Sequence, residues 1–324
     1  MKKVVFSHPG YEDAMRRIGE VATVVCKDSS NTESFLADMK DADGIVLRMG
    51  RVTREMIEQC PKLAVLGRPG VGLDIFDVQA ATEHGIPIVI SPGANVQAVA
   101  EHTMALLYAV TKNLMESCNE VRNGNYFIRN KGVAVDLKGR RVGVTGFGAI
   151  GKVVAKVMRQ NDLEVSVYDP FTKKEDAEAL GYAYESSLEA LLASADIITL
   201  HLPSLPETKG MIGKKEFGMM KKGMFIINCA RGDIIDEDAL YGAMVDGIVA
   251  GAGVDVMADE PMNPKHPLFT LPNFIATPHM AALTQESHHN MGSMLADGVI
   301  AVLSGKRWPY VGNPQVYDHP RWNP

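Results

Sequence analysis

The sequence predicts an α/β protein built from two doubly wound parallel-sheet domains. Three observations predict it. Short apolar runs alternate with helical stretches from the first residues onward, the pattern of parallel strands joined by crossover helices. A glycine-rich turn, Gly146-Phe147-Gly148-Ala149-Ile150-Gly151, lies between one such run and a helix. The chain has 324 residues, 46% hydrophobic and 22% charged, enough material for two cores.

Taken in order, the strand candidates of the first 90 residues are Val4 to Phe6, Ala22 to Val25, Gly44 to Leu47, Leu63 to Leu66 and Ile86 to Ile90. Thr32 to Met39 and Thr53 to Gln59 read as helices between them, with Thr53 as an N-cap. Gly70-Val71-Gly72 follows the fourth strand and is too short to be a dinucleotide fingerprint. Ser91 to Asn95 is a breaker, after which a long helix is expected over Val96 to Glu116. Further strands are expected at Arg141 to Thr145, Glu164 to Asp169, Asp196 to Leu200, Met224 to Asn228, Ala250 to Asp255 and Asn273 to Ala276. Those six suit a second doubly wound sheet. A last helix over Gln285 to Leu303 stops at Gly305, and the Pro- and aromatic-rich tail after it is expected to pack as extended chain.

The glycine turn carries the first functional expectation. Gly146, Gly148 and Gly151 have the G-x-G-x-x-G spacing: a tight bend, an open approach for a pyrophosphate, and close packing of the following helix, Lys152 to Gln160. The first amides of that helix would face phosphate. Asp169 ends the next strand, 18 residues beyond Gly151 (169 minus 151). A carboxylate there accepts hydrogen bonds from adenine-ribose hydroxyls and repels a 2′-phosphate, which favours NAD over NADP. Lys173 and Lys174 lie just beyond and leave NADP open.

Composition narrows the partners. Net charge is −6 and no Lys/Arg run suggests a nucleic-acid surface. Cys26, Cys60, Cys118 and Cys229 have no metal spacing, so no metal site is expected, and they read as reduced thiols of a cytoplasmic protein. No signal peptide or membrane span is expected.

In a parallel sheet every strand delivers its C-terminal end to one rim, and ligands bind there. After the Met224–Asn228 run comes Arg231; after the 250–255 run comes Glu260; after Asn273 to Ala276 comes Thr277-Pro278-His279. The sequence thus brings Arg231, Glu260 and His279 to the rim that holds the glycine turn. The trio suits hydride transfer to a 2-keto acid. Arg231 can grip a carboxylate with two parallel hydrogen bonds, His279 can protonate the carbonyl oxygen, and Glu260 can orient the ring.

These segments resemble the D-isomer-specific 2-hydroxyacid dehydrogenases. The resemblance covers nearly the whole chain and rests on Arg68 to Asp74, Pro92 to Asn95 with Val99 to Thr103, Gly146 to Gly151, His201-Leu202-Pro203, Asn228 to Asp233 with Ile235-Asp236, Gly253 to Val256 with Glu260-Pro261, and Thr277-Pro278-His279. It implies a Rossmann NAD-binding domain, residues 100–285, inserted in a flavodoxin-like substrate domain, residues 1–99 and 286–324. It implies closure over the cleft between them and pairing as a homodimer. It makes Arg231 the carboxylate-binding arginine, His279 the acid/base and Glu260 its partner. Backbone amides at Val71 and Gly72 would share the carboxylate. The cofactor would be lined by Thr103, Ala149, Ile150, Asp169, Leu202, Cys229, Ala230 and Asp255.

Two departures bear on substrate. Met280-Ala281-Ala282-Leu283 replaces the usual glycine-rich segment after the histidine, and Ile75 stands after Asp74 where many relatives carry Asn. Arg48 and Arg68 resemble arginines that hold phosphate in phosphohydroxypyruvate-using relatives, which leaves phosphoglycerate and glycerate both open as the hydroxy acid; surface ion pairs are the other reading of the two arginines. The long phosphoglycerate dehydrogenases carry a further regulatory domain that is not expected here. Two alternatives stay open: an NAD(H)-sensing, corepressor-like interaction protein, and a formate- or phosphite-oxidising relative.

Overall fold

The computed structural model describes residues 1–27 and 32–323. The chain divides into two compact units, residues 1–95 with 283–324, and residues 96–282. The crossings expected from the sequence, 99/100 and 285/286, lie three to four residues further along.

In the first unit the order is β1 (Lys2–Phe6), α1 (Glu12–Gly19), β2 (Ala22–Cys26), α2 (Thr32–Met39), β3 (Gly44–Val46), α3 (Arg54–Glu58), β4 (Val65–Gly67), α4 (Val78–Glu83) and β5 (Ile88–Val89). The strands pair in parallel in the order β2-β1-β3-β4-β5. That is the flavodoxin-like order, in which the strand sequence reverses beside β1. Thr53 caps α3 as expected, its hydroxyl accepting from the Met56 amide at 3.4 Å. α1 and α4 lie outside the helices expected from the sequence. Residues 310–312 extend the sheet beyond β5 as an antiparallel edge: the Ile90 amide donates to the Tyr310 carbonyl and the Gly312 amide to the Ile88 carbonyl. Buried Asn313 ties this edge down by accepting from the Ile88 amide at 2.8 Å. The tail therefore shields backbone groups that an exposed edge strand would leave unpaired.

The second unit contains α5 (Val96–Thr111), α6 (Leu114–Arg122), β6 (Arg141–Thr145), α7 (Ala149–Gln160), β7 (Glu164–Tyr168), α8 (Lys174–Ala179), β8 (Ala183–Tyr184), α9 (Leu188–Ser194), β9 (Ile197–Leu200), α10 (Lys214–Phe217), β10 (Met224–Asn228), α11 (Glu237–Val245), β11 (Val249–Val254) and β12 (Phe274–Ala276). The final helix, α12 (Gln285–Leu303), returns to the first unit. The strand order is β12-β11-β10-β9-β6-β7-β8, all parallel. Counted within the unit this is the Rossmann order with one strand added at the β12 edge.

Two expectations need correction. The single helix over Val96 to Glu116 is two helices, because Asn113 adopts a left-handed conformation at φ 53° and breaks the run. Asn tolerates that region better than most residues, through local side-chain hydrogen bonding. The second sheet has seven strands rather than six. The extra one, β8, is a two-residue edge, too short for a periodic signal.

Side chains on the two faces of the second sheet enter separate cores. Ile198, Leu200, Ile226 and Val254 pack with α9 to α11; Val142, Val144, Ile197 and Ile227 pack with α5 and α7. Strands buried on both faces account for the unbroken apolar runs that marked them in the sequence.

Candidate active site

The turn after β6 has the local chemistry of a phosphate cradle. Gly146 sits at φ 91°, where a side chain would be strained, and a Cβ there would lie 2.7 Å from the His201 carbonyl carbon. A Cβ on Gly151 would run into the Gly146 carbonyl oxygen. Both glycines are required by packing. Gly148 is different: a Cβ there would meet nothing within 4 Å. It is the N-cap of α7 with no side-chain cap, and Gly148 and Ala149 are exposed. Open space in front of uncapped helix amides is what a pyrophosphate needs, so the residues present fit the dinucleotide.

Asp169 follows β7 and is buried. Its carboxylate accepts the Phe147 amide at 2.6 Å and the Phe171 amide at 2.7 Å, one on each oxygen. It thereby braces the glycine turn from the neighbouring strand. Each oxygen keeps a second lone pair, so hydroxyl donors can still be accommodated.

Three adjacent strands, β10, β11 and β12, deliver the expected trio to one rim. Asn228 shapes the first loop, its amide donating to the Arg231 carbonyl at 2.8 Å while its oxygen accepts the Ala230 amide at 3.0 Å. Gly232, next in line, lies against the Met257 and Ala258 backbone so closely that any Cβ would collide with it. That contact locks the Arg231 loop to the loop carrying Glu260. The Glu260 carboxylate in turn holds His279 Nδ1 at 2.7 Å. Both side chains stay partly open to solvent, 43% for His279 and 33% for Glu260.

His279 itself is left-handed, at φ 50°. For a residue with a side chain this costs on the order of 1 kcal/mol. Residue 255 holds it there. The His279 amide donates to the Asp255 carbonyl at 2.8 Å, the Met280 amide to one Asp255 carboxylate oxygen at 2.9 Å, and the Ala281 amide to the other at 2.8 Å.

The remaining expected cofactor residues are placed as follows. Thr103, Leu202, Ala230 and Asp255 are buried, and the Thr103 hydroxyl donates to the Val99 carbonyl at 2.8 Å. The Cys229 thiol is pushed up to about 12, chiefly by burial, with Thr103 pulling the other way. The thiol is therefore neutral. Ile150 is half-buried at the start of α7. Beside the turn, His201 bonds Thr199 Oγ1 through Nε2 at 2.9 Å, while its Nδ1 is buried without a partner. Burial pushes its pKa down to about 3, so the ring is neutral.

In the first unit, Arg48 and Arg68 follow β3 and β4. Arg48 reaches His8, 3.2 Å to Nε2, and its amide donates to Ser7 Oγ at 3.0 Å. Arg68 is used internally, donating to the Gly72 carbonyl at 3.2 Å and to the Arg48 carbonyl. Val71 is exposed and Gly72 half-buried on the loop that Arg68 braces. Buried Tyr11 stacks on His288; burial raises its pKa, and Arg48 and Arg68 oppose the rise. Among the described residues no group of three or more His, Cys, Asp and Glu is arranged to hold a metal ion.

Sequence reading missed Asn228 and Gly232 as shapers of the arginine loop. It also missed His102 and Thr277, which contact Asp255. Only the polar Asn at the end of an apolar strand and the glycine after Arg231 signalled any of this.

Comparison with known proteins follows the same lines. The profile of the D-isomer specific 2-hydroxyacid dehydrogenase NAD binding domain matches residues 104–281. The chain is 40% identical over 308 residues to a D-3-phosphoglycerate dehydrogenase of Methanocaldococcus jannaschii, covering 94% of this chain and 58% of that one. It is 34% identical over 291 residues to a glyoxylate reductase of Aeropyrum pernix, covering 88% and 87%. A solved NAD-dependent formate dehydrogenase of Staphylococcus aureus, in complex with NAD, superposes with a TM-score of 0.85 at 26% identity, covering 95% and 97%. The chain thus spans less than two thirds of the phosphoglycerate dehydrogenase it matches.

Proposed function

We propose that this chain, which belongs to the D-isomer specific 2-hydroxyacid dehydrogenase family, transfers hydride between NAD(H) and a small 2-keto acid, interconverting it with the D-2-hydroxy acid. The observation that carries the reading is the 2.7 Å contact of His279 Nδ1 with Glu260 on the rim shared with Arg231. NAD(H) supplies or accepts the hydride.

The chain's own residues do the rest. Arg231 grips the substrate carboxylate and fixes which carbon faces the nicotinamide. Glu260 takes His279 Nδ1, so Nε2 is the atom that exchanges a proton with the substrate oxygen. When the keto acid is reduced, Nε2 gives that proton to the carbonyl oxygen. In the opposite direction neutral Nε2 accepts the hydroxyl proton. Gly146, Gly148 and Gly151, the amides of Ala149 and Ile150, and Asp169 hold the dinucleotide. Thr103, Leu202, Cys229, Ala230 and Asp255 form its wall. In the first unit, Arg48 with the Val71 and Gly72 amides are the proposed anion contacts, on a loop that Arg68 braces through the Gly72 and Arg48 carbonyls, and Arg48 favours a substrate with a second anionic group, such as a phosphorylated hydroxy acid.

The test is a panel of glyoxylate, pyruvate, hydroxypyruvate, phosphohydroxypyruvate and branched 2-keto acids with NADH and NADPH. His279→Ala should lower turnover roughly 10²- to 10⁴-fold, the usual worth of a positioned acid/base, while NADH still binds. No turnover on the whole panel would reject the reading.

The chain is further proposed to be a cytoplasmic homodimer. In α6 and the turn over Tyr126–Lys131 no residue is buried, and Leu114, Met115, Val121, Tyr126 and Phe127 are exposed. This row of exposed apolar side chains on one segment supports a subunit contact there, and sedimentation velocity tests it directly. Cys60, Cys118 and Cys229 stand as thiols, which suits a reducing compartment. Among the described residues no helix is long and apolar enough to cross a membrane.

A further inference from the structure

His102 lies on α5, far in sequence from the catalytic loop, yet its Nε2 is 2.9 Å from the Thr277 hydroxyl and 3.6 Å from the Asp255 carboxylate. The proton positions follow from the partners. The Thr277 hydroxyl has one proton and gives it to Asp255 Oδ1, at 2.6 Å; its other acceptor in reach, the Val254 carbonyl, is farther, at 3.5 Å. Thr277 must therefore accept from His102, which carries its proton on Nε2.

The chain of contacts continues to the acid/base. Asp255 is 1% exposed, and its carboxylate collects the Thr277 hydroxyl and the Met280 and Ala281 amides. Its carbonyl collects the His279 amide. Three consecutive amides, 279 to 281, thus close around one residue, and that closure holds His279 in its left-handed conformation. The direction of the imidazole, and so the place of Nε2, depends on the carboxylate staying where it is. A buried carboxylate with an incomplete donor set rotates toward any donor available, so the set fixes its angle. His102 holds the Thr277 member of that set in place by donating to its oxygen.

We infer that His102 is a positioning residue for His279, acting through Thr277 and Asp255. This rests on the dehydrogenase reading, in which His279 exchanges the proton. His102 touches neither the reacting atoms nor His279; removing its donor frees Thr277 to turn and lets the 277–281 turn sample other conformations. Misplacement of a catalytic group by a fraction of an ångström is enough to lower the rate without loosening cofactor binding.

The experiment compares wild type, His102→Leu, His102→Gln and Thr277→Val by three measurements. Hydrogen–deuterium exchange of the peptide spanning 277–283 reads the turn, NADH fluorescence titration reads cofactor binding, and steady-state kinetics separate kcat from KM. His102→Leu and Thr277→Val should each speed exchange of the turn and lower kcat about tenfold, with the NADH Kd unchanged within twofold. Their double variant should be no worse than either alone. His102→Gln, whose side-chain amide can still donate to Thr277, should recover kcat to within about threefold of wild type. Unchanged exchange in His102→Leu, or a kcat that falls with no rescue by Gln, overturns the inference. The exchange measurement needs no substrate, so a wild type inactive on every keto acid would remove the dehydrogenase reading while leaving the turn's dependence on His102 decided.

Discussion

Replacing Asp255 by Asn tests the site at its most loaded point. The two side chains have the same shape, but an amide offers one acceptor oxygen where the carboxylate offers two. In the protein one carboxylate oxygen takes the Thr277 hydroxyl and the Met280 amide, and the other takes the Ala281 amide. Whichever way the substituted side chain is turned, its NH₂ faces a backbone N–H. Turned one way it orphans the Ala281 amide, and turned the other way that of Met280. A buried donor left without an acceptor costs about 1–3 kcal/mol, and hydrogen bonds that lose a charged acceptor weaken from about 1.5–3 to about 1 kcal/mol each. The sum is roughly 3 kcal/mol, against a total stability of about 5–15 kcal/mol for a domain. For a unit of this size about 2–4 °C of melting temperature is lost per kcal/mol, so the drop should be roughly 6–12 °C. Differential scanning calorimetry reads it, and NADH-linked turnover on the same samples should fall further than stability explains, because the orphaned amide belongs to the His279 turn. An Asp255→Asn protein that melts within about 1 °C of wild type and turns over within twofold would refute the reasoning.

Two further expectations concern the glycine turn and its neighbour. Gly148→Val should weaken NADH binding by at least tenfold with a melting temperature close to wild type, since the added side chain enters open space and the φ of −72° suits any residue; fluorescence titration beside a thermal melt checks both halves. For His201 the sign runs toward acid instability. The ring's folded pKa is about 3 against an unfolded 6.5, so below pH 6.5 the unfolded chain holds up to one extra proton and stability falls by up to about 1.4 kcal/mol per pH unit until the folded pKa is reached. His201→Asn should lack that slope, so urea midpoints of the two proteins should converge between pH 7 and pH 4. Parallel lines over that range would contradict it.

The fold class and the rim were readable from the residues alone. Unbroken apolar runs separated by helical stretches leave few arrangements other than parallel sheets, and parallel strands end on one side. That is why Arg231, Glu260 and His279, each a few residues past a strand, could be placed on one rim without coordinates. The glycines were legible because their spacing reflects a backbone demand that no side chain can meet.

The local conformations around these residues depend on the folded packing. That His279 is left-handed, that Asp255 holds the three amides after it, that Gly232 lies on the Met257 backbone and that His102 reaches Thr277 all depend on loops from different strands meeting at contact distance. Such contacts have no period and no fixed spacing in the chain. The same holds for Asn113, where one left-handed residue divides a helix that hydrophobic pattern alone would continue, and for the tail, whose pairing with Ile88 to Ile90 depends on an edge that exists only after the sheet has formed.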